Sequence, residues 1–97
     1  MAAVVNILRF KDPVDPSLFT TATSELVPRM REIEGFQALH VLQTAETEVV
    51  LLILGDTVEV LDRVATEVGS PWMVANVVPL LVAPPERHIG PLIASSD

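Results

Sequence analysis

Cysteine is absent from the 97 residues, which excludes disulfides, thiolate metal sites and cysteine nucleophiles. Tyrosine is absent too, and one tryptophan with three phenylalanines makes a sparse kit for holding a polycyclic molecule. Basic residues are few: six against thirteen acidic ones, for a net charge of -7, and Lys11 is the only lysine. Nucleic acid and anionic membrane surfaces need concentrated positive charge, so neither is an expected partner. No nucleophile elbow, phosphate loop or zinc pattern occurs. No stretch reaches the roughly 20 apolar residues of a membrane span; residues 74–83 come nearest and are broken by Asn76 and Pro79. No basic leader opens the chain, and a cytoplasmic protein is expected.

What the chain has is grease. Apolar residues make up 49% and the mean hydropathy is +0.46, high for so small a protein with so much surface to keep wet. The length fits a single domain over residues 1–97. Val49-Val50-Leu51-Leu52-Ile53-Leu54 is an unbroken apolar run. A strand turns alternate side chains to opposite faces, so this run asks for cover on both. Too little helix is present to cover two faces, and a second copy of the chain is the expected partner.

Elements follow from periodicity and punctuation. Residues 3–10 read as a strand with Val4, Asn6, Leu8 and Phe10 on one face, and Val5, Ile7 and Arg9 on the other. Asp15-Pro16 opens a helix, Asp as cap and Pro in the first turn. Leu18, Ala22, Leu26, Met30 and Ile33 form its stripe, with Pro28 expected to kink it or shift its ladder. Gly35 fits a left-handed cap. Strands follow at 36–43 and 48–54. Asp56 and Glu59 resemble a capping box for a second helix, closed by Gly69, with stripe residues Val58, Leu61, Val64, Ala65 and Val68. Ser70-Pro71 then opens a short third helix to about Val78, Pro84-Pro85 forces an extended connector, and 86–93 is a last strand. Gly90-Pro91 places that strand at an edge, and residues 94–97 are expected to fray.

This order predicts an α+β fold: a ferredoxin-like split βαβ antiparallel sheet with its helices on one face. The other face carries Val5, Ile7, Leu39, Val41 and alternate residues of 49–54. Two such faces packed together would make a dimeric α+β barrel.

These residues resemble the antibiotic biosynthesis monooxygenase domain of the dimeric α+β barrel superfamily. The likeness rests on the apolar strand at 4–10, on Glu34-Gly35-Phe36 and the hairpin after it, on Ser70-Pro71-Trp72-Met73, and on Pro79-Leu80-Leu81 followed by Pro84-Pro85-Glu86. It spans about residues 4–93. The resemblance implies oxygenation of small aromatic carbonyl compounds with no metal or flavin, the substrate carbanion itself reacting with oxygen; relatives isomerise lactones or degrade haem. Haem-degrading relatives carry a strand Asn, which Asn6 matches. Their helical Trp and ligand His fall near Thr66 or Glu67 and near Asn76 or Val77, so haem degradation of that kind is not expected.

Asn6 is a candidate because asparagine is depleted in strands and sits here among apolar neighbours. It either bonds to nearby backbone or presents its amide to a ligand carbonyl. His40 is either a general base, as imidazole exchanges protons near neutral pH, or a structural strand residue. Trp72 either stacks on a planar ligand or plugs the core. Asn76, one turn on, points at the same cavity or at solvent, and Phe10 shares the Asn6 face. Catalysis is thus assigned to Asn6 and His40, and ligand binding to Trp72, Asn76 and Phe10, with no cofactor and no metal. Arg9 is expected to pair with an acid across the dimer, and Arg87-His88 to hold a carboxylate or line a solvated edge. Glu46 and Glu48 are ordinary turn acids. The functional expectation is a homodimer with one apolar pocket per subunit, resembling cofactor-independent monooxygenases; a non-catalytic ligand-binding or dimerisation module is the alternative.

Overall fold

The computed structural model describes residues 1–96; Asp97, the last residue of the expected frayed tail, lies outside them, and residues 94–96 have no regular structure. The elements are β1 (Ala2–Arg9), α1 (Ser17–Met30), β2 (Phe36–Ala45), β3 (Glu48–Gly55), α2 (Val58–Val64), a π-helical turn (Ala65–Gly69), α3 (Ser70–Asn76), a 3-10 turn (Val78–Leu80) and β4 (Glu86–Pro91). The sheet runs β2-β3-β1-β4 with every neighbouring pair antiparallel, the ferredoxin-like order. The most apolar strand, β3, is therefore central, and the Gly90-Pro91 strand is at an edge, where a missing N–H leaves no gap in the ladder.

Alternation separates the faces. Val4, Leu8, Val49, Leu51 and Ile53 are buried under the helices. Val5, Ile7, Val50, Leu52 and Leu54 point the other way and are only half-buried by one another. The helix side holds three apolar clusters. One joins Leu8, Phe10 and Phe19 to Val49 and Val77; a second joins α1 to Val64 and Val68; a third packs Leu61 on Val4 and Ile53.

Several local expectations are corrected. Leu39 and Val41 do not lie on the open face. A bulge between Phe36 and Ala38 shifts the pairing, so Leu39 meets Ile53 and Val41 meets Leu51 on the helix side, while Ala38, His40 and Leu42 join the open face. Phe19, not Leu18, leads the buried stripe of α1. Pro28 falls in the last turn of α1, so its missing N–H costs a single bond and the helix runs on to Met30. Asp15 does act as the opening cap: its Oδ1 accepts from the Ser17 N–H at 2.9 Å, and that bond holds its carboxyl below the usual aspartate range.

At α2 the cap is Thr57, whose Oγ1 accepts from the Val60 N–H at 3.2 Å; Asp56 instead accepts from Gln37 Nε2 at 2.6 Å. Gly69 does not end the helix. The chain stays helical from Val58 to Asn76 by widening to a π turn, in which the Ser70 N–H reaches back five residues to the Ala65 carbonyl. Pro71 has no N–H for a regular ladder and its ring would strike the carbonyl four residues back, so the wider turn accommodates it without a break.

Gly35 is the residue whose backbone requires glycine, with φ of +97°. A Cβ there would also lie 2.8 Å from Val60 Cγ2. Gly35→Ala is expected to lower stability by about 2 kcal/mol in urea denaturation. Gly69→Ala is the control: a Cβ there meets nothing nearer than the Val64 carbonyl oxygen at 3.7 Å. Its helical backbone predicts no loss, and equal loss in both variants would contradict this account.

Candidate functional site

The centre of the helix-side sheet face is a polar residue. Asn6 pairs with Leu51 on one side and Arg87 on the other, and Leu51 pairs with Val41, so a row Arg87-Asn6-Leu51-Val41 crosses the sheet. The clusters do not merge above this row, and a cleft of about 310 Å³ opens there. Its floor is the Asn6 row. Phe19, Ala22 and Leu26 of α1 form one wall; Ala65, Gly69 and Trp72 form the other. The volume is at the lower end of the range for small-ligand sites, about 300–1,000 Å³, and the lining is mostly apolar with a few polar groups, as in such sites generally.

The π turn shapes the second wall. It inserts a residue into the ladder, so the inward stripe passes from Val68 to Trp72, Met73 and Val77. Trp72 consequently packs against both the first and the second cluster, with its ring 6.4 Å from that of Phe19 at 61°. Small residues at Ala65 and Gly69 keep the wall back from the floor.

The sequence-derived candidates separate. Asn6 and Trp72 line the cleft. Asn6 is half-buried, and its amide makes no side-chain hydrogen bond among the described residues. Phe10 does not line the cleft. It is buried behind it, edge-on to Phe19 with centroids 6.1 Å apart, and acts as a wall support. Asn76 is exposed and turned back on its helix, donating from Nδ2 to the Trp72 carbonyl at 3.0 Å. His40 is not near Asn6: it pairs with Leu52 on edge strand β2 and projects from the open face. The bulge that inverted Leu39 and Val41 is the cause.

Arg9 bonds within its own chain, to Glu48 at 3.5 Å and Glu86 at 3.4 Å, because all three end on the open face of neighbouring strands. His88 Nε2 lies 2.9 Å from Glu86 Oε2, and that contact, with Arg9, holds the exposed Glu86 carboxyl below its usual range. Arg87 and His88 are not a pair; as strand neighbours they face opposite ways. Arg87 turns to the cleft and donates from Nη2 to Asp62 Oδ1 on α2 at 3.1 Å. Its part in the site escapes a reading of residues 86–93 alone, since only the register beside Asn6 reveals it. Among the described residues no three His, Cys, Asp or Glu side chains cluster to hold a metal, and no helix is long and apolar enough to cross a membrane.

The architecture defines a small ferredoxin-like α+β fold with a cleft between its sheet and helices. Solved structures with the same architecture are numerous. SnoaB of Streptomyces nogalater, a cofactor-independent oxygenase, superposes with a TM-score of 0.73 at 12% identity, over 98% of this chain and 95% of that one. The ActVA-Orf6 monooxygenase of Streptomyces coelicolor, solved with nanaomycin D, gives 0.70 at 20% identity over 97% and 88%. A Nitrosomonas europaea protein, provisionally described as an antibiotic biosynthesis monooxygenase, gives 0.75 at 16% over 97% and 100%. No family model and no curated protein matches the sequence. The chain has the fold of the antibiotic biosynthesis monooxygenases, in agreement with the resemblance read from its motifs.

Proposed function

We propose that this protein is a homodimer that binds a small, largely apolar carbonyl compound in the cleft of each subunit. One observation carries the reading: the middle of the core is left open above a half-buried amide with no side-chain hydrogen-bond partner among the described residues. A leucine at position 6 would fill that space with ordinary core. An asparagine there instead presents unused hydrogen-bonding groups to the open cleft, where they remain accessible to water or a ligand. That arrangement makes sense for a ligand oxygen accepting from the amide.

Asn6→Leu is therefore expected to raise the melting temperature while abolishing ligand response, the trade seen when a site residue is replaced for stability. Trp72, the only tryptophan, reports both, since its ring lines the cleft. Quenching of Trp72 by anthrone or 1-naphthaldehyde in the wild type, lost in Asn6→Leu, is the expected result. A less stable Asn6→Leu that still responds would show the amide to be structural.

The second reading is cofactor-independent oxygenation in this cleft, favoured by the likeness to SnoaB and ActVA-Orf6. A methylene beside the bound carbonyl would lose a proton to give an enolate. Reaction with O2 would turn that carbon into a carbonyl and release water, the substrate supplying all four electrons. Asn6 would stabilise the enolate oxygen. His40, on the opposite face, is not placed to take the proton, so this reading needs a substrate acidic enough to ionise through water. Oxygen uptake with anthrone, lost in Asn6→Leu and kept in His40→Ala, supports it; uptake equal to the buffer rate removes it.

A further inference from the structure

The same cleft carries a second donor that goes beyond carbonyl binding. Arg87 stands directly across from Asn6 in the β1–β4 register, on the same sheet face, and both line the cavity. Adjacent antiparallel residues on one face hold their Cβ atoms about 4.5–5.5 Å apart. Asn6 is half-buried inside and Arg87 is exposed, so Arg87 marks the mouth. A guanidinium offers five N–H donors in a planar fork, and among the described residues only Nη2 is engaged, with Asp62 Oδ1. That single tie orients the fork without saturating it. Apart from Thr23 and Ser70 the rest of the lining is apolar, and among the described residues no other cationic side chain lines the cavity. In a chain of net charge -7, a lone arginine at the mouth of a greasy cleft is a selective feature. Its charge is shared with Asp62, so a bound anion would be held by the guanidinium donors that Asp62 leaves free.

We infer that Asn6 and Arg87 form a headgroup site for a monoanion, so that the ligand is an apolar carboxylate or enolate with its tail under Trp72. This rests on the cleft reading above and adds the charge of the ligand to it. Arg87 and a carboxylate oxygen form a charge-assisted bond, while the Asn6 amide takes the second oxygen. Asp62 competes for the same guanidinium, which makes it a built-in attenuator: removing its charge frees a donor and raises anion affinity.

Two dyes that differ by a single sulfonate group test this: 1-anilinonaphthalene-8-sulfonate, an anion, and N-phenyl-1-naphthylamine, its neutral parent. Both are read by energy transfer from Trp72. Arg87→Gln is expected to weaken the anionic dye about tenfold and leave the neutral one within twofold, the size of one lost charge-assisted bond. Asp62→Asn is expected to tighten the anionic dye alone; it lies on the helix surface, so it guards against a folding artefact in the first variant. If the neutral dye binds and both variants treat the two dyes alike, the headgroup assignment is overturned and the cleft reading stands. If neither dye accepts energy from Trp72, the cleft reading falls and the assignment with it.

Discussion

Leu52→Asp is expected to turn a dimer into a folded monomer. Leu52 sits mid-strand on central β3, on the face the helices do not cover, between His40 of β2 and Val5 of β1. Val5, Ile7, Val50 and Leu54 surround it, and Leu42 beside them is 61% exposed. Alone, this face is a contiguous apolar patch, which water does not favour and a second copy would bury. An aspartate at the centre of such an interface must shed its hydration among apolar side chains, a cost of several kcal/mol. The dimer should weaken by at least 100-fold, equivalent to about 2.7 kcal/mol. In the monomer the same carboxylate reaches water from the open face, so far-UV circular dichroism should be retained. Sedimentation equilibrium at micromolar concentration decides it. A monomeric wild type, or a Leu52→Asp variant that still sediments as a dimer, would remove the face-to-face pairing.

Leu8→Ala should act through the other face of the same sheet. Leu8 is fully buried, opposite Val49 and packed with Phe10, Phe19 and Val77. Truncation loses the transfer energy of the missing atoms and leaves a cavity that this close-packed cluster cannot fully close. A loss of about 3 kcal/mol is expected, lowering the melting temperature by about 12–24 °C for a chain of this size. Ile7→Ala, one residue away, is the contrast. Its side chain belongs to the open face, so its effect should be full where the dimer is formed and shrink on dilution as the dimer dissociates, while that of Leu8→Ala persists at every concentration. Equal, concentration-independent losses would mean that the two faces of β1 are covered alike.

Recognition of the fold needed only short-range pattern. The period-two alternation of β1, the unbroken run of β3, Asp15-Pro16 and the positive-φ Gly35 each act within a few residues, and each stands where the sequence places it. The site was legible only in part. Asn6 was conspicuous because an amide in an apolar strand violates local preference, and Trp72 because it is unique. His40 and Arg87 were misread for a shared reason: both depend on strand pairing. One extra residue in a bulge inverts the face of every side chain after it, and nothing in residues 36–45 alone marks where that residue falls.

The helix after β3 shows the same division. Gly69-Ser70-Pro71 reads locally as a stop followed by a new start, because glycine and proline both disfavour continuing an α-helix. The chain continues through them as a π turn, since burying Val68 on one side and Trp72 and Val77 on the other requires one stretch of backbone to span both clusters.

By itself the sequence determined the order of the strands and of the main helices, the two-faced apolar character of β1 and β3 and the absence of thiol chemistry, all consequences of side-chain type at short spacing. Tertiary structure alone decided which residues meet across strands. Register and the π turn put Arg87 beside Asn6, swung Trp72 over them and sent His40 to the far face. Those contacts join residues up to 81 positions apart, and they are chosen by the packing of the whole sheet against its helices, not by any local preference of the chain.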